Sequence, residues 1–355
     1  MSTSLSTSPE SLIETISEKH TMHQDQLHAK LAHRPNLLLD ATKVLLRRQA
    51  SLKDLGANIG FHARTLLLFT GDQILDTVIP GTAFGILAAL SGPTLNLPDQ
   101  SYVSVVQRIP QTVMWLWLVI LQFCVQNQRS EDSVQEDAIN KPWRPIPSGR
   151  MTSEQAETLL KVTHFAAGVL SYELNVMHIF LVYVCLITAY NDYGGGNKSG
   201  IIRNLFCGAG FSCYFSGALS IAVGSDVSLS SAAWKWTAII AFGILATTIQ
   251  TQEFRDEAGD RARGRRTLIT ELGRKVSLWT VFAAVAFWSV YTPLGFFAGG
   301  WKTALLPSTF GGYLLVTAAR AYRTGDNKLD RKMYKIWCLW MFGFCPLPLL
   351  ARVLA

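Results

Sequence analysis

The chain has 355 residues, 49% of them hydrophobic and 16% charged, with a net charge of +7. An average soluble domain is about 25% charged, and here the apolar residues come in blocks of roughly 18 to 25, the length that a membrane-spanning helix needs. This patterning excludes the two or three soluble domains that length alone suggests, and because the Lys and Arg residues cluster in the loops between apolar blocks, the basic balance is a topology signal and not a nucleic-acid footprint.

Residues 1–35 are polar, rich in Ser, Thr and His, and lack the basic-then-apolar layout of a signal peptide. A disordered polar tail is expected there, with the first span acting as the insertion signal. His20, His23, His28 and His33 fall in this tail at a spacing that fits no single helix face, which argues against a metal cluster. Over residues 36–60, Leu37, Leu38, Leu39, Val44, Leu45 and Leu46 alternate with basic residues, as in a helix lying on the membrane surface. Residues 61–355 then read as one all-α, polytopic integral membrane domain, with about nine spans around a central cavity. The spans are expected at 63–91, 109–127, 155–172, 174–190, 201–223, 232–253, 275–297, 302–322 and 334–354. Thr152 or Ser153, followed by Glu154 and Gln155, marks the start of the third, and the polar break at Glu173 to Asn175 separates it from the fourth.

Loop charge tests this division. The loops after the second, fourth, sixth and eighth spans hold most of the Lys and Arg, whereas the alternate loops hold little beyond Arg108 and Lys302. Lys and Arg concentrate on the cytoplasmic side, so a multi-pass protein with a cytosolic N-terminus is expected. Cys124, Cys185, Cys207, Cys213, Cys338 and Cys345 lie singly inside apolar blocks, a pattern of neither a disulfide framework nor a zinc site.

Two acidic constellations carry the chemistry. The first, NQRSEDSVQEDAINKPWRPIPSGRM from Asn127 to Met151, offers Asn127, Glu131, Asp132, Glu136 and Asp137 as oxygen ligands, followed by the cations Lys141, Arg144 and Arg150. The second, QTQEFRDEAGDRARGRRTL from Gln250 to Leu268, offers Glu253, Asp256, Glu257 and Asp260, with Asp256 and Asp260 one helical turn apart. Mg²⁺ takes oxygen ligands octahedrally and is commonly held by one or two carboxylates plus substrate phosphates. Lys and Arg take the remaining phosphate oxygens, Arg often bidentately. Together such groups stabilise the charge that develops when a diphosphate leaves carbon. The allylic cation left behind needs a dry, apolar, aromatic pocket, for which ten Trp, ten Tyr and eighteen Phe are available. Asp72 and Asp76, within the first span, are candidates for the same cavity, because a charge at a helix centre costs about 2.5–3.5 kcal/mol on insertion scales unless it faces a cavity or partner. The bland alternative is two cytoplasmic loops whose acids pair with neighbouring arginines.

NKPWRPIPSGR, Asn140 to Arg150, resembles the signature after the first aspartate-rich motif of the UbiA superfamily of membrane prenyltransferases and terpene cyclases, and DEAGDRARGRRTL, Asp256 to Leu268, resembles the second. The resemblance extends over about residues 60–355 and implies Mg²⁺-dependent ionisation of a prenyl diphosphate in a central cavity near the cytoplasmic face. By that resemblance Asn127, Glu131, Glu136, Asp137, Glu253, Asp256 and Asp260 are metal ligands, Glu136, Asp137, Asp256 and Asp260 serve catalysis, and Lys141, Arg144, Lys198 and Arg203 bind the diphosphate. The first motif departs from the family pattern N-D-x-x-D-x-x-x-D. Counted from Asn127, Gln128, Glu131 and Gln135 stand at the Asp positions; counted back from Asn140, Asp137 takes the last position and Ser130 and Ser133 the first two. AYNDYGGG, Ala189 to Gly196, adds Tyr190, Asn191 and Asp192 as cavity candidates or as a Gly-rich turn. With NQRS and EDAINKPWRPIPSGR it resembles a fungal branch that includes membrane-bound sesquiterpene cyclases. The expectation is cyclisation of farnesyl diphosphate in secondary metabolism, in the endoplasmic reticulum, with no obligate protein partner evident. The alternatives are prenyl transfer to an aromatic or other apolar acceptor and, from another class, a non-enzymatic transporter.

Overall fold

A computed structural model describes residues 21–22 and 56–354, and the chain divides into two compact units, Met1–Arg64 and Thr65–Ala355. Apart from those few residues, the tail expected over 1–35 with its four histidines and the surface segment expected over 36–60 lie outside the described residues. All regular structure among the described residues is helical. In chain order the helices are α1 (Gly56–Leu95), α2 (Tyr102–Gln128), α3 (Glu131–Asn140), α4 (Ser153–Glu173), α5 (Met177–Asn191), α6 (Gly200–Val223), α7 (Ser231–Leu245), α8 (Ile249–Arg263), α9 (Leu268–Phe296), α10 (Leu305–Thr324), α11 (Asn327–Phe342) and α12 (Leu347–Leu354).

Each expected span coincides with a helix or a bent pair, and the fold is that of a polytopic membrane protein. Among the described residues α1, α2, α6 and α9 are long and apolar enough to cross a membrane singly. The expected sixth and ninth spans are bent pairs, α7 with α8 at 42° and α11 with α12 at 44°, so four spans, or up to six with these pairs, meet the length and composition needed. The other three of the expected nine are α4, α5 and α10. α5 has 15 residues, α4 carries Glu154, Glu157, Lys161 and Glu173, and α10, though continuous, includes Pro307, Ser308, Gly311, Gly312, Arg320 and Arg323.

Local sequence accounts for the boundaries. Thr152 caps α4 reciprocally with Gln155, each side chain bonding the other's backbone N–H. After Glu173 the chain turns through Asn175, at φ 57°, before α5. The run between α2 and Asn140, read as a loop from sequence, is instead the helix α3. Ser130 caps it by accepting from the Ser133 N–H, and Glu131 and Asp132 in its first turn complement the positive end of the helix. α8 ends at Gly264, at φ 72°, a left-handed conformation that glycine adopts without strain.

Two apolar clusters hold the bundle: one around Phe84, Phe215, Trp236, Ile240, Trp340 and Phe344, the other around Phe69, Trp115, Leu116, Ile120 and Tyr183. Several buried polar tips are satisfied across helices. The Trp115 indole donates to Ser171 Oγ at 2.9 Å, Trp340 to Ser289 Oγ at 2.8 Å, and the Tyr183 hydroxyl to the Val119 carbonyl at 2.6 Å. All six cysteines are free. Close approach of α1 to α6 depends on Gly85, where a Cβ would lie 2.6 Å from the Ala218 carbonyl oxygen, and at Gly217 a Cβ would lie 2.1 Å from the Trp115 ring.

Overpacking of a tight interior typically costs about 1–3 kcal/mol. Gly85→Ala and Gly217→Ala are therefore expected to lower the unfolding midpoint in detergent. Gly312→Ala, where nothing lies within 4 Å, leaves it unchanged or raises it. Equal midpoints for all three would show that the two glycines do not set helix spacing.

Candidate active site

The two acidic runs meet through α3 and α8. Asn140, the last residue of α3, donates from Nδ2 to the Asp256 carbonyl at 3.0 Å and accepts from the Gly259 N–H at 3.2 Å. Gly259 is needed here, since a Cβ would lie 2.2 Å from Asn140 Nδ2. Lys141, one residue on, pairs with Asp256 Oδ2 at 3.1 Å. Arg144 forks onto both oxygens of Asp137, at 2.8 and 2.9 Å, and reaches Asp72 of α1 at 3.5 Å. Arg263, the last residue of α8, and Arg265 just beyond it return to Glu136 at 2.8 and 3.2 Å, and Arg265 donates to the Tyr190 hydroxyl at 3.2 Å. Arg203 of α6 pairs with Glu253, whose other oxygen accepts from the Ile269 N–H at 3.2 Å.

Several of these groups line a cavity of about 1120 Å³ of non-atom space, open solvent at its mouth included. Its wall includes Asn127, Glu136, Lys141, Arg144, Tyr190, Arg203, Asp256 and Asp260, with Asp76 of α1. Apolar and aromatic side chains supply the rest, among them Phe123, Leu186, Phe206, Phe211, Tyr214 and Trp337. Asp260 Oδ2 is buried on this wall without a hydrogen-bond partner.

Other expected site residues lie off the cavity wall. Asp137 is buried behind it holding Arg144, and Glu253 is buried holding Arg203. Glu131, Asp132 and Lys198 are exposed. Asn191 and Asp192 line a neighbouring polar pocket, which shares Asn127, Tyr190 and Arg265 with the cavity. There Asn127 Nδ2 donates to Asn191 Oδ1 and Gln126 Nε2 to Asp192 Oδ2, both at 2.8 Å. Sequence reasoning missed Gln73, Gln252, Arg255, Arg265, Tyr334 and Trp337 on the wall. The two arginines were legible only as loop charge, and nothing in the last apolar block marked Tyr334 or Trp337.

The model of the UbiA prenyltransferase family matches residues 77–339. The chain belongs to the UbiA prenyltransferase family. It is 30% identical over 290 residues, 82% of this chain and 93% of the relative, to the fumagillin beta-trans-bergamotene synthase of Aspergillus fumigatus. A diterpene cyclase of Hericium erinaceus is 29% identical over 302 residues, 80% of this chain and 89% of the cyclase. The solved structure of a UbiA homolog from Archaeoglobus fulgidus, bound to DMAPP and Mg²⁺, superposes with a TM-score of 0.56 at 12% identity, covering 80% of this chain and 98% of that one, and supports the fold. The protein is thus an enzyme of the membrane prenyltransferase and terpene synthase class, which displaces the transporter reading. In this UbiA protein polar and aromatic side chains from α1, α2, α3, α5, α6, α8 and α11 line a single cavity.

No three His, Cys, Asp or Glu side chains among the described residues converge on a ready-made metal site. A UbiA-type metal would need only one or two carboxylates plus substrate oxygens. The unpartnered Oδ2 of Asp260, beside Asp256 on the same wall, fits that requirement.

Burial pushes the Glu136 carboxyl up, but the facing Arg265 and Arg263 guanidiniums outweigh it and hold the group below the usual carboxylate range. The sign follows: the stabilisation is complete above the unfolded-state value, about 4.3, and is lost as pH falls through the depressed folded value. Glu136→Ala leaves two buried guanidiniums without their carboxylate, and truncating one partner of a buried pair costs about 3–5 kcal/mol. A clear fall in the unfolding midpoint is expected, against a change within about 0.5 kcal/mol for the exposed Glu131→Ala. Similar midpoints for the two variants would remove Glu136 as the tie between α3 and the segment after α8.

Proposed function

We propose that this enzyme ionises farnesyl diphosphate and cyclises the resulting cation to a sesquiterpene, in secondary metabolism. The observation that carries the reading is the composition of one cavity wall, which brings Lys141, Arg144, Arg203, Arg255 and Arg265 together with apolar and aromatic side chains. Five cations give a diphosphate more positive contacts than a neutral ligand needs, and Arg forks match its oxygens. Asp256 and Asp260, with Asn127 and Glu136 across the cavity, are the groups that would hold Mg²⁺. When bound, the ion neutralises charge on the departing diphosphate. Asp137 and Glu253 act through Arg144 and Arg203, which they hold in place.

Within the apolar part, Phe123, Phe206, Phe211, Tyr214 and Trp337 exclude water and offer ring faces to a carbocation. Folding of the prenyl chain against these rings sets which of its own double bonds attacks the cation. The loop-charge split supports a cytosolic N-terminus and a cytosolic opening of the charged part, with the endoplasmic reticulum as the expected membrane. A second reading is prenyl transfer to an aromatic or other apolar acceptor. A polyprenyl transferase of Hericium erinaceus is also 30% identical over 281 residues, 74% of this chain and 85% of that relative.

Membranes containing the protein, incubated with farnesyl diphosphate and Mg²⁺ without acceptor, are expected to release diphosphate and a C15 hydrocarbon seen by gas chromatography with mass detection, and EDTA abolishes both. Intact diphosphate without acceptor, followed by turnover when an aromatic acceptor is added, favours the transferase reading. Asp256→Ala and Asp260→Ala are each expected to lower turnover by about 10²-fold or more while the protein still accumulates in membranes. Full activity in either variant removes that carboxylate from the site.

A further inference from the structure

A cyclisation that ends in a hydrocarbon must lose a proton from its last carbocation, and the ionised diphosphate half of the cavity does not by itself assign the acceptor. Four carboxylates stand on the wall: Asp76, Glu136, Asp256 and Asp260. Glu136 is engaged by Arg263 and Arg265, and Asp256 by Lys141. Asp260 lies 3.8 Å from Arg265. Asp76 has no ion-pair partner among the described residues.

Its contacts are neutral. The Tyr334 hydroxyl donates to Asp76 Oδ2 and the Thr77 hydroxyl to Oδ1 at 2.8 Å. The Gln73 amide, turned with its nitrogen inward, adds hydrogen bonds of 2.9 and 3.0 Å. The nearest guanidinium, Arg255, stacks over the Tyr334 ring at 3.6 Å from its centre instead of pairing with the carboxylate, and the Tyr334 ring stacks on Trp337 at 5.7 Å. Asp76 sits in a π-helical turn, Ile74–Val78, inside the span α1, and such turns recur at functional sites. Gln73, Asp76 and Thr77 of α1 and Tyr334 and Trp337 of α11 thus form one patch of the cavity wall.

Resting on the ionisation reading above, we infer that Asp76, oriented by Tyr334, accepts the proton that ends the reaction. The C–H bond next to the last cationic carbon breaks, its electron pair forms the product C=C bond and quenches the cation, and the proton goes to an Asp76 carboxylate oxygen. The proton then leaves to solvent through the open mouth when diphosphate departs, which restores the carboxylate. No oxidant or second substrate is required.

Asp76→Asn keeps the shape of the side chain and an oxygen for the Tyr334 hydroxyl but removes the base. The test compares wild type, Asp76→Asn and Tyr334→Phe in membranes with farnesyl diphosphate and Mg²⁺, with diphosphate release and C15 products quantified together. Loss of a positioned base slows proton transfer by about 10²-fold, so in Asp76→Asn the ratio of hydrocarbon to water-captured alcohol is expected to fall by about that factor. Tyr334→Phe, which retains the carboxylate, shifts the ratio the same way by less, and provides the readout if Asp76→Asn does not accumulate. An unchanged ratio in both variants overturns the assignment and leaves the proton to the departing diphosphate. Loss of diphosphate release without any change of ratio overturns it too, because Asp76 would then serve ionisation. A wild-type protein that releases no diphosphate overturns the ionisation reading itself, and the proton assignment with it.

Discussion

Charge in a low-dielectric interior must be partnered, and the rest of this structure depends on how that is done. An unpaired guanidinium or carboxylate among apolar helices is expensive, whereas a hydrogen-bonded pair is tolerated. Arg144 is matched to Asp137, Arg203 to Glu253, Lys141 to Asp256, and Arg263 with Arg265 to Glu136. Three of these four matches join elements far apart in sequence, so the same pairs that permit burial also bind α3, α6, α8 and the chain after α8 into one frame. The cations are thereby held in fixed positions by the fold itself.

The pairing also divides the acids by task. Asp137 and Glu253 are buried off the wall, and each holds an arginine that reaches it. Asp256 and Asp260 stand on the wall itself, one turn apart, with an unpartnered oxygen on Asp260. Asp76 lies on a different patch of wall, among hydroxyl, amide and aromatic groups.

Irregular helix geometry brings these groups to the wall. α7 gives way to α8 across a 42° bend, and α8 carries Asp256 and Asp260. At this break the Thr248 hydroxyl returns to the Ile244 carbonyl at 2.6 Å and accepts from the Trp337 indole at 2.9 Å, which satisfies polar groups that the interrupted ladder frees. Side chains of Thr248 and Trp337 thus tie the bend of one helix pair to α11, the helix that also supplies Tyr334.

Hydropathy, loop charge and the two acidic runs were enough to read an all-helical membrane protein whose acidic runs carry several of the charged side chains on one cavity wall, because block length and charge clustering are properties of the chain itself. The same holds for the Thr152 and Gln155 cap and for Asp256 and Asp260, whose four-residue spacing places them on one helix face in any fold. The first motif was less legible. Its carboxylates depart from the family spacing, and adjacent residues such as Glu136 and Asp137 point about 100° apart on a helix, so only the packing of α3 against α8 decided that Glu136 meets the cavity while Asp137 turns to Arg144. Span number was blurred for a related reason, since an apolar block does not reveal a 42° or 44° bend. The contact between Asp76 and Tyr334 joins residues 258 positions apart, and no local pattern encodes a meeting of the first and the penultimate described helices. That juxtaposition belongs to the tertiary structure alone.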